Sequence, residues 1–577
     1  MGEQFVKSEL DRLRHSASHV MAEAVKKLYP QAKLAIGPAI KDGFYYDIDF
    51  PEPITEDLLP RIEEAMKAVV QRKSKFKQLS MNRDEAIRFF EKRNEPYKVE
   101  IIKGLGDQEI SLFDQGEFID LCRGPHVEHT GEVKAFKLLN TAGAYWRGKE
   151  TNPMLTRIYG TAFPSEKDLK DYLDRLELAK KRDHRILGKQ LDLFSFHAEA
   201  PGMPFYHAKG YTVLQNMLEH WRNIHRQTGY IEVKTPMVLS DELWRMSGHY
   251  EHYKENMFFI ETDEKHFAIK PMNCPGGTLI YKSAKRSYRD LPIRMAELGL
   301  VHRKEVSGAL HGLFRAKAFT IDDAHIFCTE DQIGEEVAGV IRLVRDTYQV
   351  YGFKSIQVYL STRPAESMGS DEIWGKATSG LRRALEQNKL DFTVAEGGGA
   401  FYGPKIDFEV EDSLGRTWQC GTIQLDFQMP ERLDLEYTGA DGANHRPVMV
   451  HRAIFGSVER FFGILIEHFG GAFPVWLAPV QVTITSISEK QEAYARSIYE
   501  TLVVAGIRTE LDLSPQKIGY KIREAETSKV PYIAVVGDKE VESRQISLRG
   551  RGRKDLGSLS AHDLIQKICR EIESKEI

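Results

Sequence analysis

Residues near 8–28, ELDRLRHSASHVMAEAVKKLY, repeat apolar side chains at helical spacing and predict an amphipathic helix that stops before Pro30. The run DGFYYDID, Asp42–Asp49, reads as a strand. Residues about 165–190, SEKDLKDYLDRLELAKKRDHRILGKQ, are helical in composition without a wide apolar face, and predict a charged connector. From Gly210, GYTVLQNMLEHWRNIHRQTGYIEVKTPMV predicts a long helix and then a strand ending near Pro236. Leu300–Cys328 predicts two antiparallel strands joined by a polar loop around Ser307–Gly312. In Glu396–Asp412, glycines precede a strand carrying Tyr402, Lys405 and Asp407. Arg416–Phe427 alternates as a buried strand with Gln419 and Gln424 on sheet positions, where amides need partners. His451–Phe469 reads as a strand or turn, then Gly456-Ser457, then an amphipathic helix. After Pro474 the pattern becomes strand–helix–strand, which predicts a small α/β domain with a mainly parallel sheet. These shifts divide the chain into 1–164, a linker 165–190, 191–475 and 476–577.

Composition narrows the class. The 577 residues are too many for one core. Hydrophobic content of 42% and charged content of 28% are those of a soluble globular protein. A net charge of −4 makes any RNA-binding surface a local one. Cys122, Cys274, Cys328, Cys420 and Cys569 are dispersed, an odd count without a CxxC pair, which fits a reducing cytoplasm better than a disulfide framework. The start, MGEQFVKSELDRLRH, has no apolar core for a signal peptide, Val6 stands where a myristoylation signal wants Ser or Thr, and no run approaches membrane-spanning length.

Candidate chemistry concentrates in a few places. Arg303 and Arg315 stand on the two arms of the predicted hairpin, suited to carboxylate or phosphate. Phe319 offers a face for a base, Asp323 an acceptor for an ammonium, and His325 a metal ligand. Cys274 in IKPMNCPGG and His451 complete a Cys, His, His set, the three-ligand pattern of a working zinc. Arg460, one turn into the last helix of this domain, points to phosphate. Separately, His15 and His19 share one helix face, and Asp120-Leu121-Cys122-Arg123-Gly124-Pro125-His126 adds a thiol and a third imidazole at metal-ligand spacing. Arg544, Arg549, Arg551, Arg553 and Lys554 form a basic run near the end.

Leu300–Cys328 closely resembles motif 2 of class II aminoacyl-tRNA synthetases, and its Asp-Asp-Ala-His-Ile-Phe-Cys ending looks like the bacterial-type threonyl-tRNA synthetase family. The helix–strand from Gly210 resembles motif 1, a dimer interface, and His451–Phe469 resembles motif 3. The His/Cys cluster, DGFYYDID and Thr141–Gly148 resemble the editing domain shared by threonyl and alanyl enzymes. In the alanyl branch the four ligands hold zinc, in the bacterial threonyl branch they work without metal, and spacing admits both.

The resemblance implies a multidomain α+β and α/β protein: an editing domain, a class II catalytic domain on an antiparallel sheet, and a C-terminal α/β anticodon-binding domain. It implies ligation of threonine to tRNA(Thr) with ATP, hydrolysis of seryl-tRNA, one Zn2+ per subunit, Mg2+ with ATP, a cytoplasmic homodimer, and no membrane. Carried over by motif, zinc falls to Cys274, His325 and His451. ATP falls to Arg303, Glu305, Arg315, Phe319, Gln419, Ser457 and Arg460, and threonine to Met272, Asp323, Tyr402 and Gln424. Catalysis falls to Arg303, Lys405 and Arg460, editing to His15, His19, Asp120, Cys122 and His126, and anticodon contact to Glu542 and Arg551. The chain starts almost at His15, so the further small domain common in this family is expected to be absent. Gly277, Gly398 and Ile321 depart from the family's usual His, Glu and Gln. An RNA-binding paralogue without ligase activity would have lost Arg303, Arg460 or a zinc ligand, and a stand-alone editing hydrolase would lack motifs 1 to 3; neither holds.

Overall fold

The computed structural model describes residues 8–52, 54–262 and 265–577. The chain divides into two units at Glu177/Leu178.

In the first unit, α1 (Glu9–Leu28) is capped by Ser8, whose hydroxyl accepts from the Asp11 amide at 3.1 Å. Its apolar stripe of Ala17, Val20, Met21 and Ala24 packs on Phe44, Tyr46 and Ile48 of β1 (Gly43–Asp49) and on Ile62 and Met66 of α2 (Leu59–Gln71). Further on come α3 (Pro96–Gly104), β2 (Ile119–Leu121), β3 (Ala135–Tyr145) and β4 (Met154–Phe163). β4 lies between β1 and β3, antiparallel to both. The division between the units falls inside α4 (Glu166–Lys181), the expected connector; it buries Leu169 alone, as a helix without an apolar face should.

The second unit begins with α5 (His184–Gln190) and the long α6 (Ala208–Gln227), followed by β5 (Ile231–Glu232), α7 (Cys274–Lys282), β6 (Ile293–His302) and β7 (Ala318–Cys328). Next are α8 (Ile333–Val350), β8 (Ile356–Ser361), α9 (Asp371–Gln387), β9 (Thr393–Ala395), β10 (Lys405–Glu411), β11 (Thr417–Asp426), β12 (Val448–Ser457) and α10 (Val458–Phe469). The strands form one sheet in the order β5-β6-β7-β12-β11-β10-β8-β9, antiparallel except for the outer pairs β5–β6 and β8–β9. Alternation sorts the side chains between the two faces of the sheet. Ala324, Ile326, Ile423, Leu425 and Val450 point to a core built with α8, α9 and α10. Their neighbours Asp323, His325, Gln424 and His451 point to the other face.

The β7–β12 ladder carries one large bulge: Ile321 pairs with Ser457 and Asp323 with Ala453, so Ile454, Phe455 and Gly456 stand against Asp322. The fully buried Asp322 carboxylate accepts all three amides, at 2.9, 3.0 and 2.9 Å, and the Trp221 indole of α6 at 3.2 Å. Gly456 sits at φ +76°, where a Cβ would lie 2.6 Å from the Cys420 carbonyl. β10 begins at Lys405, so Tyr402 lies in the preceding turn and not on the strand as expected. Gln419 is solvent-exposed and Gln424 half-buried on β11, against the expectation of buried amides.

The C-terminal part contains β13 (Val482–Ser486), α11 (Glu492–Val504), β14 (Thr509–Asp512), β15 (Tyr532–Val536), α12 (Asp538–Ser543), β16 (Ile546–Gly550), β17 (Lys554–Leu559) and α13 (Ala561–Ser574). β13 pairs in parallel with β14 and β15, but β15–β16 and β16–β17 are antiparallel. The sheet is therefore mixed, and the basic run, after Arg544 at the end of α12, falls on the antiparallel hairpin. Among the described residues, no helix is long and apolar enough to cross a membrane.

Candidate active site

The polar face of the large sheet opens into a cavity of about 720 Å³. Its walls include Met272, Cys274, Arg303, Glu305, Arg315, Phe319, Asp323, Tyr402, Lys405, Gln419, Gln424, His451, Ser457 and Arg460, which gathers the predicted zinc, ATP and threonine residues except His325. His325 is buried beside them, its ring 5.1 Å from that of His451. The Arg303 guanidinium lies 5.0 Å from the Phe319 ring centre and 5.5 Å from that of Tyr253, and its Nε donates to the Pro271 carbonyl at 3.3 Å. Across the cavity, the Ser457 hydroxyl caps α10 by accepting the Arg460 amide at 3.2 Å, while the Arg460 Nε is buried without a hydrogen-bond partner. Arg315 pairs with Glu305 at 2.9 Å.

Asp407 organises the near wall. Its carboxylate takes Lys405 Nζ at 3.0 Å, the Gln419 amide at 2.7 Å, the Ser361 hydroxyl at 2.9 Å and the Thr422 hydroxyl at 3.2 Å. The Tyr402 hydroxyl donates to the Gln424 carbonyl oxygen. Burial raises the Asp323 carboxyl above its usual range, against the pull of His451 and Arg452. Ile321 puts an apolar side chain on the wall where a glutamine was the family expectation, and Gly277 and Gly398 lie next to His325 and Ser361.

The ligand atoms of Cys274, His325 and His451 all lie within 4.8 Å of one another. His325 Nε2 is buried with no hydrogen-bond partner. His451 Nε2 is bonded to the buried Asp426 carboxylate at 2.9 Å, which orients the ring and leaves Nδ1 with its lone pair. Burial, with Asp323 and Asp426 nearby, pushes the Cys274 thiol well up, so a thiolate here calls for a cation. An orphaned imidazole nitrogen, a braced imidazole and a thiol are a donor set that fits zinc.

Sequence reasoning missed His249. It begins the short helix His249–Tyr253, is fully buried, and brings Nε2 to 3.6 Å from Cys274 Sγ and 3.2 Å from Met272 Sδ. Burial, then His451 and Arg303, push its imidazole down to about 3. No spacing in the sequence signals this contact.

A second cluster lies in the first unit. Cys122 Sγ is 3.4 Å from His15 Nε2 and 3.3 Å from His126 Nε2, and the His126 ring stacks on Phe76 at 4.6 Å. His19 Nδ1 is 3.8 Å from Asp120. Asp120 binds two residues not among the predicted editing set: Lys98 of α3, with Nζ at 2.5 Å, and Tyr46 of β1, from the DGFYYDID strand, with its hydroxyl at 2.5 Å. Burial lowers His15, His19 and His126, and pushes the Cys122 thiol up to about 12. At neutral pH the cluster therefore offers neutral imidazoles and a neutral thiol around one buried Lys–Asp pair, a set suited to orienting an ester and a water. In the C-terminal part, Glu542 is exposed on α12, while Arg551 donates to the carbonyls of Lys529 at 2.8 Å and Ala472 at 2.9 Å.

Residues 257–469 match the family described as tRNA synthetase class II core domain (G, H, P, S and T), residues 481–571 the anticodon binding domain, and residues 110–159 the threonyl and alanyl tRNA synthetase second additional domain. The threonine–tRNA ligase of Acetivibrio thermocellus is 59% identical over 98% of this chain and 89% of its own length. The chain belongs to the threonyl-tRNA synthetase family. The threonine–tRNA ligase of Clostridium acetobutylicum is 57% identical over 98% of the chain and 88% of its own. Among solved structures, the RNA binding domain of threonyl-tRNA synthetase from Cryptosporidium parvum is similar with a TM-score of 0.65 and 43% identity, covering 67% of this chain and 98% of that one. A putative threonyl-tRNA synthetase from Aeropyrum pernix follows with a TM-score of 0.61 and 30% identity, covering 68% and 96%. Cys274, Arg303, His325, His451 and Arg460 fall within the class II core match, and Cys122 and His126 within the second additional domain match.

Proposed function

We propose that this chain ligates threonine to tRNA(Thr) in the cytoplasm as a homodimer and clears seryl-tRNA in its N-terminal unit. The observation that carries this reading is the cavity whose walls hold Cys274 and His451 together with Arg303 and Arg460, with His325 within 4.8 Å of the first two. ATP, with Mg2+, stacks its base on Phe319, meets Glu305, Gln419 and Ser457 along its length, and carries its phosphates to Arg303, Arg315 and Arg460. Threonine is held by Met272, Asp323, Tyr402 and Gln424. Its carboxylate oxygen attacks the α-phosphorus, the bond to the bridging oxygen breaks, and pyrophosphate leaves. Arg303 and Lys405 meet the negative charge that grows at the α-phosphate, and Arg460 meets the departing pyrophosphate. The tRNA 3′ hydroxyl then attacks the acyl carbon, and AMP leaves.

Cys274, His325 and His451 would hold zinc, which when bound supplies an open position able to tell threonine's hydroxyl from the isosteric methyl of valine. Serine keeps that hydroxyl and lacks a methyl, worth roughly 1–3 kcal/mol of discrimination. That margin is too small, so the His15, His19, Asp120, Cys122 and His126 cluster hydrolyses the seryl ester. Glu542 and Arg551 mark the surface for anticodon contact, and α6 with β5 the dimer face. Threonine-dependent exchange between ATP and pyrophosphate tests the core of the proposal. Strong exchange with threonine and little with valine is expected, and no exchange from folded, zinc-loaded protein would overturn it.

A further inference from the structure

His184 opens α5, outside the cavity, and is fully buried. With Asp183 and Glu467 it makes a group of metal-ligand types, yet both of its ring nitrogens are already used. Nε2 accepts the Leu313 amide at 3.0 Å, so Nε2 carries the lone pair and the proton sits on Nδ1. Nδ1 then donates to Glu467 Oε1 at 2.7 Å. Glu467 also accepts the His184 amide at 2.9 Å, and Arg416 holds its other oxygen at 2.6 Å. No lone pair of the ring is left for a cation.

Leu313 belongs to the loop between β6 and β7 that carries Arg315. The loop closes on itself through the His311 and Arg315 backbones, with Arg315 N donating to the His311 carbonyl at 3.4 Å. The Leu313 amide projects from this turn. Gly312 has φ +51°, and a Cβ on it would lie 2.3 Å from His184 Nε2, so the loop approaches the ring as closely as glycine permits. Phe314 packs beside it, 4.1 Å from the His184 ring and 4.4 Å from that of Trp418. On the far side of Arg315, the Lys317 amide donates to the Gly202 carbonyl at 2.7 Å. Arg315 is thus held between two anchors, and the first is His184.

We infer that the buried His184–Glu467 pair is a positioning unit for Arg315, fixing the loop that brings this guanidinium to ATP. The inference rests on the reading of Arg315 as an ATP contact. Removing the imidazole leaves the Leu313 amide buried and unpaired, and the loop is expected to lift to hydrate it.

The test is pyrophosphate exchange with full-length protein. His184→Ala is expected to raise KM for ATP about tenfold, with KM for threonine changed less than about twofold. His184→Gln, which can offer a carbonyl to Leu313 and an amide to Glu467, should restore most of the ATP KM. Because His184 acts through Arg315, the double variant His184→Ala with Arg315→Ala should match Arg315→Ala alone. Where His184→Ala does not fold, Gly312→Ala, which forces the loop off the ring, should give the same ATP-selective rise. Equal rises in both KM values, no rescue by glutamine, or additive effects in the double variant would overturn the inference. Arg315→Ala with an unchanged ATP KM would remove the underlying ATP assignment. A normal ATP KM in His184→Ala or Gly312→Ala, beside a raised one in Arg315→Ala, would remove the positioning role alone.

Discussion

Arg303 is held by the Pro271 carbonyl and by the faces of Phe319 and Tyr253, contacts that fix a guanidinium without neutralising it. Its charge remains available to an anion in the cavity, which is the proposed role at the α-phosphate. Arg303→Ala is expected to lower threonine-dependent exchange about 10²–10³-fold with the rest of the chain folded, and near-parental exchange would place it outside the reaction. Cys274→Ser replaces one of the three proposed zinc donors with a poorer one. Metal analysis should fall well below one zinc per chain, and threonine activation should fall with it; full activation by zinc-free protein would break the assignment. These residues were legible because each sits in a short run of distinctive type and order. His249 and Lys98 were not, because each reaches its site from an element with no local mark of chemistry, and Tyr46 was covered only as part of its strand, not as a partner of Asp120. Asp407 was seen on its strand, but its grip on Lys405 and Gln419 comes from the β10–β11 pairing, which a one-dimensional pattern does not display.

α1 shows why helical spacing was informative: His15 and His19, four apart, do fall on one face, and the 120–126 segment meets them there. His15→Ala with Cys122→Ala should leave threonine exchange unchanged and let seryl-tRNA accumulate, because the cluster loses the thiol and one of the imidazoles beside it. The assay is deacylation of pre-formed seryl-tRNA beside threonyl-tRNA; clearance at the parental rate would move proofreading elsewhere. The large helices and the strands β7, β11 and β12 follow from periodicity over long runs. The glycine-rich approach to β10 misplaced Tyr402 because turn and strand residues there are alike in composition. The β16–β17 hairpin escaped notice because its arginines and glycines mask the alternation that marks a strand.

At the scale of the molecule, lowered imidazoles outnumber, among the described residues, the two buried carboxyls, Asp322 and Glu459, that burial raises to about 7 and that oppose them in the response to acid. Burial lowers His15, His19 and His126 in the first unit, and pushes His220 down to about 4 and His225 to about 2 in the second. In the unfolded chain such rings take protons near pH 6.5, whereas the folded ones do not. Below about pH 6.5 the unfolded state therefore binds more protons, and stability, complete above that value, falls as pH falls. Each ring contributes up to ~1.4 kcal/mol per pH unit in that window. Tm measured at about pH 7.5 and about pH 5.5 should drop at the lower value, and an unchanged or higher Tm would contradict this account. Asp322 carries a different consequence. It lines no part of the cavity, yet its carboxylate gathers the amides of Ile454, Phe455 and Gly456 and the indole of Trp221. Asparagine, equal in size, would turn an NH2 group towards one pair of those donors. In a survey of random inactivating substitutions, this position should be as intolerant as Arg303 or Arg460, and an observer mapping intolerance onto the surface would see nothing there.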